Sequence, residues 1–249
     1  MLALGWLATS CSSGKEDVGE VADAGYGVLS VNLAADAAFG VTRAVDESFY
    51  ANTDNYTVRI VKDDKVLHEF KYADRAATYQ LVNGNYDLVA FCGTESAASR
   101  SGFYVKGTTA FSVNGDEQTV EVTCAPTCGK VQAVFGDGMP DYFKDYSVTY
   151  TTAALQEKGE TVVYKKDDTD PWYLLLNPAG EEVKATVSYT QISTNRTYQV
   201  EQSYVLKPNQ SWTLRLEPSV NTGKLVLTIT VDESTNDKPI DIEVPFDWI

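Results

Sequence analysis

From Gly27 onward, apolar residues recur at every second position in short runs. Leu29, Val31 and Leu33 alternate with small or polar residues, and so do Tyr56, Val58 and Ile60. The same holds for Tyr86, Leu88 and Ala90, for Val120, Val122 and Cys124, and for Val131, Ala133 and Phe135. Further along come Tyr146, Val148 and Tyr150; Val183, Ala185, Val187 and Tyr189; and Trp212, Leu214 and Leu216. The last sets are Leu225, Leu227, Ile229 and Val231, then Ile240, Ile242, Val244 and Phe246. A strand turns successive side chains to opposite faces, so period two marks strands with one face in a core and one in water.

Turn residues fall between these runs: Asp63-Asp64, Asn83-Gly84-Asn85, Asn114-Gly115-Asp116, Gly136-Asp137-Gly138, Asn177-Pro178 and Lys207-Pro208-Asn209. Many short strands with such punctuation predict an all-β chain of sandwich or barrel type. No stretch beyond ten residues has the helical period; single helical turns are expected near Glu95–Arg100 and Ala153–Lys158. The Cys-Ala-Pro-Thr-Cys-Gly stretch interrupts the pattern at Ala125–Gly129. Proline cannot sit in a central strand. The expectation is therefore two tandem antiparallel β-sandwich domains, 26–125 and 129–249, each of ordinary sandwich size.

Composition narrows the partners. The 249 residues carry 35 acidic and 20 basic side chains, a net charge of −15, and one histidine. Nucleic acid needs a basic footprint and is excluded as the expected partner. One histidine also speaks against multi-histidine metal sites and most acid/base constellations. His68 sits in a strand-like alternation with Val66 and Phe70, as a sheet residue would. No nucleophile elbow, phosphate loop or zinc motif occurs, so no catalytic residue and no cofactor or metal is assigned. The acidic clusters Asp63-Asp64, Asp167-Asp168 with Asp170, and Asp232-Glu233 with Asp237 lack the EF-hand spacing and read as turns.

The N-terminus reads as an address. MLALGWLATS before Cys11 looks like a bacterial lipoprotein signal spanning residues 1–11, with Cys11 as the acylated residue. No Lys or Arg precedes it, which a start upstream of Met1 would supply. Residues 12–25 are small, polar and acidic and cannot bury enough apolar surface to fold, so a flexible tether is expected. An acidic cluster behind the lipidated cysteine resembles a surface-export signal. The membrane contact is then the N-terminal acyl chains alone, with the protein outside the outer membrane.

With Cys11 set aside, Cys92, Cys124 and Cys128 remain. Cys92 with Cys124, Cys124 with Cys128, and three unpaired buried thiols are all open. The aromatic residues Trp172, Tyr173, Tyr198, Tyr204, Trp212 and Trp248 lie in the second half. Exposed, Trp172 and Trp212 would make a glycan-stacking platform; buried, they fill a core.

The cysteine, the acidic tether, the Gly27–Ala34 strand, the Thr42-Arg43-Ala44 segment and two tandem sandwiches together resemble the Bacteroidetes-type fimbrillin-like lipoproteins, which include pilus subunits and adhesion proteins. The endings Lys224–Asp232 and Ile240–Ile249 are similar to an uncharacterised lipoprotein domain family of the same bacteria. The resemblance implies a Greek-key, transthyretin-like sandwich and a non-enzymatic role as a fimbrial subunit, anchor or tip component. Partners would be other pilus subunits or host and bacterial surface ligands. It also implies cleavage after Arg43 by a trypsin-like protease. The first strand, with Val28, Leu29, Val31 and Leu33, would leave, and a strand from the next subunit would take its place. Burial of those four side chains is worth roughly 6–12 kcal/mol, as much as a whole domain's stability of about 5–15 kcal/mol. A surface glycan-binding lipoprotein is the alternative reading.

Overall fold

The structure, a computed structural model, describes residues 25–37, 39, 45–221, 223–232 and 238–244. Eight strands form the first half: β1 (Tyr26–Ala35), β2 (Thr57–Lys62), β3 (Lys65–Lys71), β4 (Tyr79–Val82), β5 (Gly84–Cys92), β6 (Ala98–Ser99), β7 (Val105–Val113) and β8 (Glu117–Pro126). Nine more follow: β9 (Cys128–Phe135), β10 (Phe143–Thr151), β11 (Val162–Lys165), β12 (Trp172–Leu175), β13 (Glu181–Gln191), β14 (Thr197–Leu206), β15 (Ser211–Asn221), β16 (Lys224–Asp232) and β17 (Lys238–Glu243).

The first sheet runs β3-β2-β5-β7-β8-β1-β4. It turns a corner at β7 and β8, which pair only at Val105–Pro126 and Lys106–Ala125. The corner needs Gly107: a Cβ there would lie 2.3 Å from the Thr123 carbonyl oxygen. At the far edges Phe70 of β3 stacks on Tyr79 of β4, with centroids 4.8 Å apart. One core lies between the two layers and includes Leu29, Tyr56, Ile60, Leu88 and Val122.

The second half packs a four-stranded sheet, β11-β10-β13-β14, on a six-stranded one, β17-β16-β15-β9-β12-β6. Their common core holds Val131, Phe143, Tyr164, Val187, Leu216 and Ile229. The all-β double sandwich is therefore as expected, with one difference. Its sheets are mixed: β1 runs parallel to β8, and β9 parallel to β15.

Local chemistry explains the connections. Asp63 and Asp64 have φ of 48° and 60°. That is the left-handed pair a two-residue hairpin requires, and Asp tolerates it. The helical turn at Ala153–Lys158 forms, with Thr152 accepting from Leu155 N at 3.2 Å and Gly159 closing it in the left-handed region. The turn expected at Glu95–Arg100 does not form. Its Ala98–Ser99 pair instead forms β6 at the edge of the six-stranded sheet, through Ser99–Tyr173 and Ala98–Leu174. Pro126 ends β8 opposite Val105, and a single residue, Thr127, separates β8 from β9.

Candidate functional site

β1 lies in a slot with two unequal walls. On one side it makes an eight-residue parallel ladder with β8, from Val28–Glu117 to Ala35–Cys124. Asp36 N extends it, bonding Cys124 O at 2.9 Å. On the other side β4 covers only Tyr26 to Leu29. Beyond that point side chains take over: the Tyr72 hydroxyl accepts from Leu33 N at 3.2 Å, and Ser30 Oγ donates to Ala77 O at 3.4 Å. Among the described residues, no strand other than β8 pairs with the second half of β1.

The inward row of this segment is longer than the sequence reading gave. Leu29 and Val31 are buried, Leu33 and Ala35 pack against the same core, and Ala37 and Phe39 are buried in turn. Alternation thus persists past the strand's end at Ala35. Val28 was expected in the buried set; it is half-buried and out of step with that row. The residues missed, Ala37 and Phe39, follow the same period, but the intervening small residues hid it.

Phe39 ends in a joint between the two halves. Its ring meets Phe103 edge-on at 5.1 Å and Tyr173 at 5.4 Å. Tyr50 stacks on Phe103 at 3.9 Å, and its hydroxyl accepts from Phe103 N at 3.2 Å. Beneath them the Lys130 ammonium pairs with Glu47 Oε1 at 2.8 Å, with the lysine side chain 1% exposed and the carboxylate 15%. The other Glu47 oxygen accepts from Phe39 N at 3.0 Å. Lys130 Nζ also lies 5.7 Å from the ring centres of both Phe39 and Tyr173. Glu47 belongs to the loop after β1, Lys130 to β9 and Tyr173 to β12. Three separate segments therefore meet around one buried ion pair.

A second clasp crosses the joint nearby. Arg100 forms two parallel bonds to Asp168, of 2.9 and 2.7 Å, and lies over the Trp172 ring at 4.6 Å. That pairing holds the Asp168 carboxyl below its usual range.

The other predicted residues sort out as follows. Cys11, the signal, Arg43 and Trp248 lie outside the described residues, as does nearly all of the tether. Cys92, Cys124 and Cys128 are free, buried thiols, so the Cys92–Cys124 bridge is absent. Burial pushes the Cys124 and Cys128 thiols up to about 12. Trp212 is 8% exposed and set edge-on against Tyr204, a core residue and no platform. Trp172 is half-buried with Arg100 over its face. His68 lies exposed on β3, 5.4 Å from the Tyr79 ring. Among the described residues no three His, Cys, Asp or Glu side chains are placed to share a metal ion, and no helix is long and apolar enough to cross a membrane.

A mixed-sheet double sandwich, with a loosely walled first strand leading into a charged joint, defines the class of protein. The chain belongs to the DUF4493 family, a domain of unknown function, which residues 25–246 match. No curated protein matches it. In shape it is similar to a candidate adhesin from Bacteroides ovatus, at 11% identity over 88% of this chain and 96% of that one, with a TM-score of 0.46. It is also similar to a fimbrial anchor protein from Porphyromonas gingivalis, at 11% identity over 84% and 98% of the chains, with a TM-score of 0.42. A candidate polysaccharide-binding protein from Bacteroides thetaiotaomicron aligns at 12% identity over 80% and 95%, with a TM-score of 0.44. These likenesses are distant, and no role is carried across from them.

Proposed function

We propose that this chain is a non-enzymatic, lipid-anchored protein of the outer bacterial surface that joins other subunits by strand complementation, in fimbrial assembly or adhesion. The observation that supports it is the β1 slot. One wall is an eight-residue ladder; the other is a four-residue strand and two side-chain contacts. Loss of β1 would expose the β8 edge and the groove that holds Leu29, Val31 and Phe39. Covering those three side chains is worth about 5–9 kcal/mol, so an emptied slot has a strong drive to take another strand. In this reading the acyl chains on Cys11 anchor the uncut chain, and cleavage after Arg43 frees the first strand together with that anchor.

The test uses the full chain nicked by trypsin. Cleavage is expected after Arg43. The nicked protein should exchange its own first strand for a labelled peptide of residues 26–39, read as co-elution in gel filtration. A nicked protein that keeps its strand and takes up no peptide would sink the reading. Acylation is read separately, from the mass of the N-terminal peptide released from membranes.

A further inference from the structure

The joint holds something that the slot alone does not require. Phe39 is 8% exposed, yet it lies beyond the end of β1 and bonds no strand. Its ring fills a socket built by residues of both halves, Phe103 from the first and Tyr173 from β12, with the Lys130 ammonium 5.7 Å from the ring centres of Phe39 itself and of Tyr173. The Tyr50–Phe103 stack fixes one wall, and Gly93 permits that stack. At φ 85° its Cβ would lie 2.1 Å from the Phe103 carbonyl oxygen and 3.1 Å from the Tyr50 ring. The Glu47 carboxylate divides its two oxygens between Lys130 and the amide of Phe39. The site thus recognises a ring and a backbone N–H together, at a fixed distance from the buried row of the strand.

We infer that this socket is a recognition site for an aromatic residue on whichever strand occupies the β1 slot. The partner it fits is an extended segment of another subunit. That segment carries alternating apolar residues, small residues where Ala35 and Ala37 stand, and an aromatic spaced from the first as Phe39 is from Leu29. The inference rests on the strand-exchange reading and adds to it a rule for the incoming sequence. Quadrupole and cation attraction favour a ring over an aliphatic side chain here. A strand lacking the ring would leave Phe103, Tyr173 and the Glu47–Lys130 pair open to water at the joint.

Two measurements test it. In the first, a specific protease site replaces residues 41–44 of the full chain, the chain is cut, and labelled peptides of residues 26–39 compete for the slot. The natural peptide and its Phe39→Trp form should bind at least about tenfold more tightly than the Phe39→Ala form. Equal binding of all three overturns the socket. Uptake of none overturns strand exchange instead, and the socket is then judged on the second measurement. That one uses the uncut chain carrying Phe39→Ala, with Phe39→Leu in reserve should the first fail to fold. Amide exchange at Lys130, Leu174 and Leu175 should rise at least about tenfold relative to Ile60 and Leu88, since each tenfold is a modest local loss. Unchanged protection across the joint overturns the inference.

Discussion

Lys130 shows how a single residue can be invisible in the sequence. It stands between Gly129 and Val131, where period two assigns it to the solvent face; instead β9 is buried on both faces at its start. The reason is tertiary, because β9 enters the joint where Glu47 and two rings wait. Breaking such a pair leaves an uncompensated buried charge, whereas replacing both partners with apolar groups removes the problem. Glu47→Gln or Lys130→Ala should therefore cost about 3–5 kcal/mol in urea unfolding. The double change Glu47→Leu with Lys130→Met should cost much less than either. The thiols make a second residue-scale prediction. A folded-state value near 12 means that the native protein binds the thiol proton more tightly than the unfolded chain, whose ordinary value is 9.0. The stability these groups contribute is present below about 9 and is lost as pH rises towards 12. At pH 8 almost no thiolate exists in the native state, so Cys124 and Cys128 should resist a thiol-reactive dye until denaturant is added. Rapid labelling of both in native buffer would contradict their burial.

At the scale of elements, strands with strict alternation were legible and those shaped by their neighbours were not. β7 carries Gly107, Thr108, Thr109 and Ala110 at its middle because it must approach β8 closely at the corner. Its apolar pattern is therefore diluted. β4, β6, β11 and β12 are too short to show a period. β14 alternates Tyr198, Val200 and Tyr204 with polar residues, a signal interrupted by Gln202. The Glu95–Arg100 segment has helix-compatible composition, but Arg100 is drawn to Asp168 and Ala97 O accepts from Leu175 N at 3.0 Å. Tertiary contacts override weak propensity there. Of the site, Leu29, Val31 and Leu33 were readable, while the joint, assembled from distant segments, was not. The Arg100–Asp168 clasp flanks the β6–β12 ladder, and Arg100→Ala should cost about 1.5–3 kcal/mol. Its pH sign is that of a lowered carboxyl. The stabilisation is complete above the ordinary value of 3.8 and is lost as pH falls below it. In acid titrations the wild type should lose stability over that window, while Asp168→Asn should lack that component. Identical acid profiles would remove the clasp as a contributor.

Across the whole molecule, the charge of −15 and the two cores need to be considered together. Among the described residues the acidity sits largely in turns and exposed positions and keeps the surface solvated, with Glu47 at the joint the exception. The cores are not self-contained. Ala97 and β6 come from the first half but complete the second core and its sheet, while Tyr173 comes from the second half but packs in the first core. Leu176 N bonds Thr127 O at 3.2 Å, and the Glu47–Lys130 pair spans the gap. Opening one half would leave the other with a missing edge strand, an unpaired buried charge and an exposed ring. Unfolding should therefore be one cooperative transition despite two hydrophobic centres. Native probes report each side separately. Trp172 and Trp212 lie in the second half, and Cys92 and Cys124 are buried in the first. In a urea series, the tryptophan emission shift and the onset of cysteine labelling should share one midpoint. The Glu47→Gln chain, with its joint broken, should separate the two curves. Separate midpoints in the wild type would mean that the halves stand alone and that the joint ties them only loosely.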